Sequence, residues 1–156
     1  MKPKVYLETT IPSYLTAWLS RDLIKAAHQQ ITREWWQSRA RFDLYISQIV
    51  LREASGGDAE AARLRLEALT GIPVLALSPA ASILAQQLVT QGPLPEQATV
   101  DALHIAIAVV NGMDYLLTWN CTHIANAALR HRIEAICRTS GYEPPVLCTP
   151  EELMEE

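Results

Sequence analysis

The segment VDALHIAIAVVNGMDYLLTWN, residues 100–120, predicts a buried helix that is followed after a short turn by a buried strand. The helix is expected over residues 96–111, because apolar side chains recur on most of its faces and Gly112 follows it. The apolar run 114–118 has the length of a strand. A strand covered on both faces is typical of a parallel sheet.

The same alternation of strands and helices extends outward to both ends of the chain. Further strands are predicted at 4–8, 43–47, 73–77 and 145–148, and further helices at 22–40, 58–70, 79–91 and 122–139. This order with short connections is typical of helices packed on both faces of a sheet. We therefore predict an α/β fold with three layers, α/β/α, around a central and mainly parallel sheet.

Length and charge indicate one globular domain. The chain has 156 residues, of which 49% are hydrophobic and 19% charged, and this composition argues against disorder. Its 13 basic and 17 acidic side chains give a net charge of −4, but four of the acids lie in the last six residues. We expect a domain over 1–150, with no net charge, and an acidic tail at 151–156. The charge of the domain does not exclude a polyanionic partner.

Cysteine usage and hydropathy favour a cytoplasmic protein. The three cysteines, Cys121, Cys137 and Cys148, are odd in number and form no CxxC pair, so we expect free thiols. No apolar run approaches the ~20 residues of a membrane span, and the first residues do not resemble a signal peptide. We expect no membrane association.

Polar side chains lie where the predicted strands end. Glu8 is the last residue of the first strand, Glu53 follows the second strand, and Asn120 follows the strand at 114–118. Asp101 lies early in the helix before that strand. Because ligands of parallel sheets bind beyond the carboxyl ends of the strands, we expect these four side chains to converge at one edge.

Three carboxylates and an amide suit a divalent cation. Carboxylates crowded together repel unless a cation lies between them, and oxygen ligands favour Mg²⁺ or Mn²⁺ over zinc. Such a site fits phosphodiester hydrolysis. Glu8 and Asp101 stand in apolar surroundings that a surface role does not explain. The alternative for Asp101 is an interaction with the helix dipole in the first turn. Considered alone, Glu53 would be a surface acid and Asn120 a turn residue.

Two further groups of residues leave alternatives open. His104, three residues after Asp101, is either a contact of the carboxylate or substrate, or a buried structural histidine. His123 and His131 have no cysteine or acid at ligand spacing, which argues against a zinc site.

The aromatic residues of the helix at 22–40 also have two interpretations. Ile24, Ile31 and Trp35 share one predicted helix face, whereas Trp36 falls on a face with arginines. An outward tryptophan there indicates a partner or dimer contact, with base stacking as the alternative.

On these residues the chain resembles the PIN-domain nucleases, and among them the VapC-like ribonuclease toxins of bacterial toxin–antitoxin pairs. The resemblance rests on four segments in the order of the family, VYLETTIPSYL (5–15), SQIVLREAS (47–55), VDALHIAIAVVNGMDYLLTWN (100–120) and CTHIAN (121–126). It implies a PIN-like fold, Mg²⁺- or Mn²⁺-dependent endoribonuclease activity on RNA, a homodimer and a cognate antitoxin protein.

The resemblance also assigns site residues. The family's three acids correspond to Glu8, Glu53 and Asp101 as metal ligands, and its variable fourth position corresponds to Asn120. Glu8 stands where aspartate is usual and is one methylene longer. Because Asn120 carries no charge, we expect a single metal ion in the absence of substrate.

Two hydroxyls complete the assignment. The threonines at positions 9 and 118, Thr9 and Thr118, match hydroxyls of the family that orient ligands or the phosphate. The alternative function is a catalytically weakened PIN-like domain that binds RNA or protein without cutting. A phosphatase or phosphoacceptor domain ranks lower, because it would need an aspartate nucleophile at the position of Glu8.

Overall fold

A five-stranded parallel sheet forms the centre of the computed structural model, which describes residues 1–154. The strands are β1 (Lys4–Leu7), β2 (Asp43–Ser47), β3 (Val74–Leu75), β4 (Tyr115–Leu117) and β5 (Val146–Cys148). They are arranged in the order β3-β2-β1-β4-β5, and every neighbouring pair is parallel. The predicted α/β fold with three layers and a parallel sheet is confirmed.

Seven α-helices connect and cover the described strands. They are α1 (Thr10–Thr16), α2 (Leu23–Gln37), α3 (Gln48–Ala54), α4 (Ala59–Ala68), α5 (Pro79–Thr90), α6 (Thr99–Val110) and α7 (Ala127–Thr139). Five of them are preceded by an N-cap residue whose side chain accepts a backbone N–H of the first turn. These residues are Asp22, Ser47, Asp58, Ser78 and Asn126. No helix within residues 1–154 is long and apolar enough to cross a membrane.

The ends of the two central strands are aligned by backbone hydrogen bonds. Val5, Tyr6 and Leu7 of β1 are fully buried, which places the start of the next segment at the centre of the sheet. The N–H of Glu8 donates to the carbonyl of Leu117 at 3.1 Å, and the N–H of Thr118 donates to that of Cys148 at 3.0 Å. The residues that follow β1 and β4 therefore lie side by side at the carboxyl edge.

The buried face of α2 agrees only in part with the one that the apolar spacing predicts. Trp35 is fully buried, but Ile24 is 70% exposed and the other buried residues are polar, Gln29 and Thr32. Gln29 donates to the carbonyl of Trp18 at 3.0 Å, and Thr32 accepts the indole N–H of Trp119 at 2.7 Å. Ile31 packs partly buried against the core, as predicted, so the apolar pattern is wrong for Ile24 and misses the two polar residues, whose hydrogen bonds make them suitable for burial.

The exposed tryptophan is also a different one. Trp36 is half-buried, and the guanidinium of Arg39 lies 4.5 Å from the centre of its ring. Trp18, in the connection between α1 and α2, is instead 95% exposed. The outward position predicted for Trp36 is therefore only partly correct, because the arginine beside it covers the ring.

Helix α7 begins five residues later than predicted. Residues 121–126 form turns, since the carbonyl of Asn120 accepts the N–H groups of Ile124 at 3.3 Å and Ala125 at 2.9 Å. Asn126 then caps α7. This turn, which we call the β4–α7 turn, carries His123.

The end of the described chain contacts the domain. The carboxylate of Glu152 accepts the backbone N–H of Thr149 at 3.0 Å, and residues 151–153 form a turn. The acidic tail predicted at 151–156 includes Glu155 and Glu156, which lie outside the described residues.

Candidate active site

Glu8, Glu53 and His104 come together at the carboxyl edge of the sheet. One potential ligand atom from each lies within 4.8 Å of those of the other two. Glu8 is 4% exposed and the side chain of His104 is buried, whereas that of Glu53 is 39% exposed. Asp101 is not a member of this group, which we call the inner cluster.

Glu8 is buried but well supplied with hydrogen-bond donors. Its Oε1 accepts the hydroxyl of Thr118 at 2.6 Å, the hydroxyl of Thr10 at 2.6 Å and the backbone N–H of Thr10 at 3.1 Å. Hydrogen bonds to a carboxylate compensate for its loss of hydration. The hydroxyl of Thr10 also accepts the N–H of Trp119 at 2.8 Å. Residues that follow both β1 and β4 therefore fix the position of Glu8.

Glu53 is held by two donors on one oxygen. Its Oε1 accepts the Thr9 hydroxyl at 2.6 Å and lies 2.6 Å from Nε2 of His104. These contacts, that of His104 above all, lower the pKa of Glu53 against the opposing effect of burial. Glu53 is therefore ionised at neutral pH. Thr9 thus serves the site, since its side chain makes no capping bond to α1.

His104 connects the inner cluster to the core. Its Nδ1 lies 2.7 Å from the hydroxyl of Tyr6, which lies 2.8 Å from the hydroxyl of Ser47. Burial raises the pKa of Tyr6 far above its ordinary value, so the phenol keeps its proton. Because a carboxylate only accepts, a neutral His104 donates from Nε2 to Glu53 and accepts from Tyr6 at Nδ1.

The structure therefore agrees with only part of the prediction for His104, because the carboxylate that it contacts is not that of Asp101. It is a buried structural histidine, and it is also a contact of the carboxylate of Glu53. The sequence did not predict that Tyr6 and Ser47 take part in the hydrogen bonds that hold His104. Their polar groups within two buried strands were the available signal, because a buried hydroxyl needs a partner.

Asp101 lies in a second group, which we call the outer pair. Its Oδ2 is 2.9 Å from Nδ1 of His123, and the two side chains are 23% and 28% exposed. The backbone N–H of His123 donates to Oδ1 of Asn120 at 3.0 Å, and the N–H of Asn120 donates to the hydroxyl of Thr118 at 2.8 Å. Since Thr118 also binds Glu8, hydrogen bonds connect the outer pair to the inner cluster.

The sequence did not predict the contact between His123 and Asp101, because the spacing of His123 was used only to argue against a zinc site. Asn120 has the contacts of a turn residue, because its carbonyl oxygen accepts a backbone N–H three residues later. Its Nδ2 makes no hydrogen bond within residues 1–154.

The donor set fits a hard divalent cation. Within residues 1–154, each of three carboxylates uses one oxygen for hydrogen bonds and leaves the other without one: Oε2 of Glu8, Oε2 of Glu53 and Oδ1 of Asp101. Both nitrogens of His104 are engaged. The ligand atoms that remain free for a cation are therefore oxygens, which Mg²⁺ and Mn²⁺ prefer.

The chain matches known proteins in its fold but not in its sequence. No family model matches the sequence, and no curated relative does. Among solved structures, VapC20 of Mycobacterium tuberculosis, a sarcin–ricin loop cleaving toxin, matches with a TM-score of 0.59 at 15% identity, over 88% of this chain and 95% of that one. The chain has a VapC-like PIN-domain fold.

A second solved structure agrees. VapBC2 from Rickettsia felis, bound to a DNA fragment from its promoter, matches with a TM-score of 0.54 at 20% identity, over 75% of this chain and 88% of that one. The predicted resemblance to a VapC-like PIN domain is thus confirmed for the fold.

Proposed function

We propose that the protein is a metal-dependent endoribonuclease that hydrolyses RNA phosphodiester bonds, with Glu8, Glu53 and Asp101 as ligands of Mg²⁺ or Mn²⁺. The observation that carries the proposal is that the carboxylates of Glu8 and Glu53, each with one open oxygen, lie close together at the carboxyl edge of a VapC-like fold. Asp101 keeps an open oxygen as well, and hydrogen bonds through His123, Asn120 and Thr118 connect it to Glu8. The cleavage of RNA by VapC20 supports it, since a sarcin–ricin loop is RNA.

The surrounding side chains prepare the carboxylates. A bound cation would activate water and offset negative charge on the phosphate. Thr118 fixes Glu8, while Thr9 and His104 fix Glu53 and keep it ionised. These three residues are positioning residues that limit the movement of the ligands before RNA binds.

Asn120 completes the site from the position immediately before the β4–α7 turn. Its carbonyl oxygen is used within the turn, so Nδ2 is the open donor that its side chain offers to the phosphate. An amide adds no negative charge to the three carboxylates, and the site therefore holds one cation in the absence of substrate.

We further propose that the protein is the toxin of a toxin–antitoxin pair, acts in the cytoplasm and is a homodimer. Four large apolar side chains around the α1–α2 connection support an antitoxin partner, with exposed fractions of 95%, 61%, 85% and 70% for Trp18, Leu19, Leu23 and Ile24. Exposed apolar groups in one segment indicate a protein contact. The test is growth arrest on expression alone and its relief by the product of a neighbouring gene.

The nuclease is tested with purified protein and a pool of structured and single-stranded RNA. We expect cleavage with Mg²⁺ or Mn²⁺ and none with EDTA. Glu53→Gln and Asp101→Asn should abolish it, whereas Glu67→Gln is the matched control because that side chain is 68% exposed and pairs with Arg63. Cleavage that persists in EDTA would contradict the metal-dependent mechanism.

The second candidate is a PIN-like domain that binds RNA or protein without cutting. It is favoured by the engagement of Asn120 Oδ1 and Asp101 Oδ2 within the protein, which reduces the oxygens available to a metal. RNA retention in a gel-shift assay without cleavage in any metal, together with equal Mn²⁺ affinity for the wild type and Asp101→Asn, would establish it.

A further inference from the structure

The outer pair joins two separate elements of the fold. Asp101 lies in the first turn of α6, and His123 lies 22 residues later in the β4–α7 turn. Apart from the ring of His123, no described residue forms a hydrogen bond with the carboxylate of Asp101. The orientation of this carboxylate therefore depends on one contact.

The β4–α7 turn fixes the position from which His123 acts. The backbone N–H of His123 is bound by Oδ1 of Asn120 at 3.0 Å, and the next residue, Ile124, is fully buried. The backbone carbonyl of Asn120 accepts from the N–H of Ile124, and its N–H donates to Thr118. His123 is thus anchored to the end of β4, where the hydroxyl of Thr118 also binds Glu8.

This pair differs from the ordinary surface ion pairs of the chain. Arg63 pairs with Glu60 and Glu67, and all three side chains are more than half exposed. Asp101 and His123 are both less than a third exposed, and hydrogen bonds through Asn120 and Thr118 connect His123 to Glu8. A contact in that place affects where the free oxygen of Asp101 is directed.

We propose that His123 is a positioning residue that donates Nδ1–H to Oδ2 of Asp101 and thereby directs Oδ1 to the cation. The proposal rests on the proposed function for the identity of the cation site. Outer hydrogen-bond partners orient metal-binding groups, and their loss typically costs about 10- to 100-fold in metal affinity. His123 would make the ligand on α6 dependent on the β4–α7 turn.

The metal-free protein gives the first test. Because a carboxylate only accepts, Nδ1 of His123 must carry the proton whether the ring is neutral or charged. Long-range ¹H–¹⁵N NMR of the imidazoles identifies this nitrogen, with His131, exposed on α7, as the comparison. A neutral His123 protonated at Nε2 alone would overturn the proposal.

The second test measures Mn²⁺ affinity by calorimetry for a matched set of variants. Asparagine places its amide nitrogen near the position of histidine Nδ1, whereas glutamine places it near Nε2. We expect His123→Ala and His123→Gln to weaken binding by about 10-fold, and His123→Asn to recover most of the loss. His131→Ala should bind as the wild type does.

The outcomes distinguish this inference from the proposed function. If Asp101→Asn weakens Mn²⁺ binding while all three His123 variants bind normally, the positioning role is wrong and the metal site remains. If Asp101→Asn and Glu8→Gln both bind as the wild type does, the proposed metal site itself is wrong. Equal losses in the Asn and Gln variants at unchanged thermal stability would also overturn the role of Nδ1.

Discussion

The inner cluster and the outer pair hold their carboxylates in different ways. Glu8 and Glu53 receive five hydrogen bonds between them from threonines and a histidine, and the histidine is itself held by buried hydroxyls. Asp101 receives one, from a partly exposed ring. The inner carboxylates are therefore placed by the core of the fold, whereas Asp101 depends on a turn.

The largest effect is expected for Glu8→Asp, which keeps the charge and shortens the side chain. The donors of Thr10 and Thr118 are arranged for the reach of glutamate, so an aspartate would lose hydrogen bonds or move its free oxygen away from the cation. We expect RNA cleavage to fall by at least about 100-fold at equal protein concentration. Cleavage at the wild-type rate would show that the inner cluster does not require this placement.

Tyr6→Phe should have the next largest effect, and mainly on stability. It removes the hydroxyl between His104 and Ser47 and leaves a buried nitrogen without a partner. We expect a loss of about 1–3 kcal/mol in the free energy of unfolding, measured by urea denaturation. Tyr142→Phe is the control, because the hydroxyl of Tyr142 makes no hydrogen bond within residues 1–154. Equal stability of the two variants would show that the buried hydrogen bonds of Tyr6 to His104 and Ser47 do not stabilise the fold.

The pH dependence of stability tests Glu53. Its pKa in the folded protein is below the ordinary 4.5, so its contribution to stability is present above pH 4.5 and is lost as the pH falls through the folded pKa. Urea denaturation of metal-free protein between about pH 5 and pH 3 should therefore show a steeper loss for the wild type than for Glu53→Gln. Parallel profiles would mean that His104 and Thr9 do not stabilise the ionised carboxylate.

The smallest effect is expected in the number of thiols that a reagent modifies. This number reports on the β4–α7 turn, which carries Cys121. Cys121 in that turn is exposed, whereas Cys137 and Cys148 are buried and burial raises their pKa values to about 11 and about 12. We expect iodoacetamide at pH 8 to modify one thiol in the folded chain and three after unfolding, as counted by mass spectrometry. Modification of Cys148 in the folded chain would show that the edge near β5 opens.

The sequence was sufficient for the parallel sheet, and it also marks two acids that stand in apolar surroundings. Continuous apolar strands with intervening helices predicted a parallel sheet, and Glu8 was recognisable as an acid at the end of a buried strand. Asp101 was recognisable because its helix is otherwise apolar. Residues in apolar surroundings stand out without knowledge of their partners.

The hydrogen-bond partners could not be predicted in the same way. Tyr6, Ser47 and His104 lie on three elements far apart in the sequence. Their side chains meet because β1 pairs with β2 and because α6 places His104 beside Tyr6. The pairing of His123 with Asp101 depends on where α7 begins, and helix ends are poorly defined by apolar spacing. The partners of each ligand are thus a property of the fold.

The carboxylate site is tested by Mn²⁺ binding to the metal-free wild type, compared with binding to the triple variant Glu8→Gln, Glu53→Gln and Asp101→Asn. Both proteins are titrated by calorimetry, with circular dichroism to verify their folding. We expect one Mn²⁺ bound per wild-type chain and none by the folded triple variant. Equal binding by the two proteins would contradict the carboxylate site.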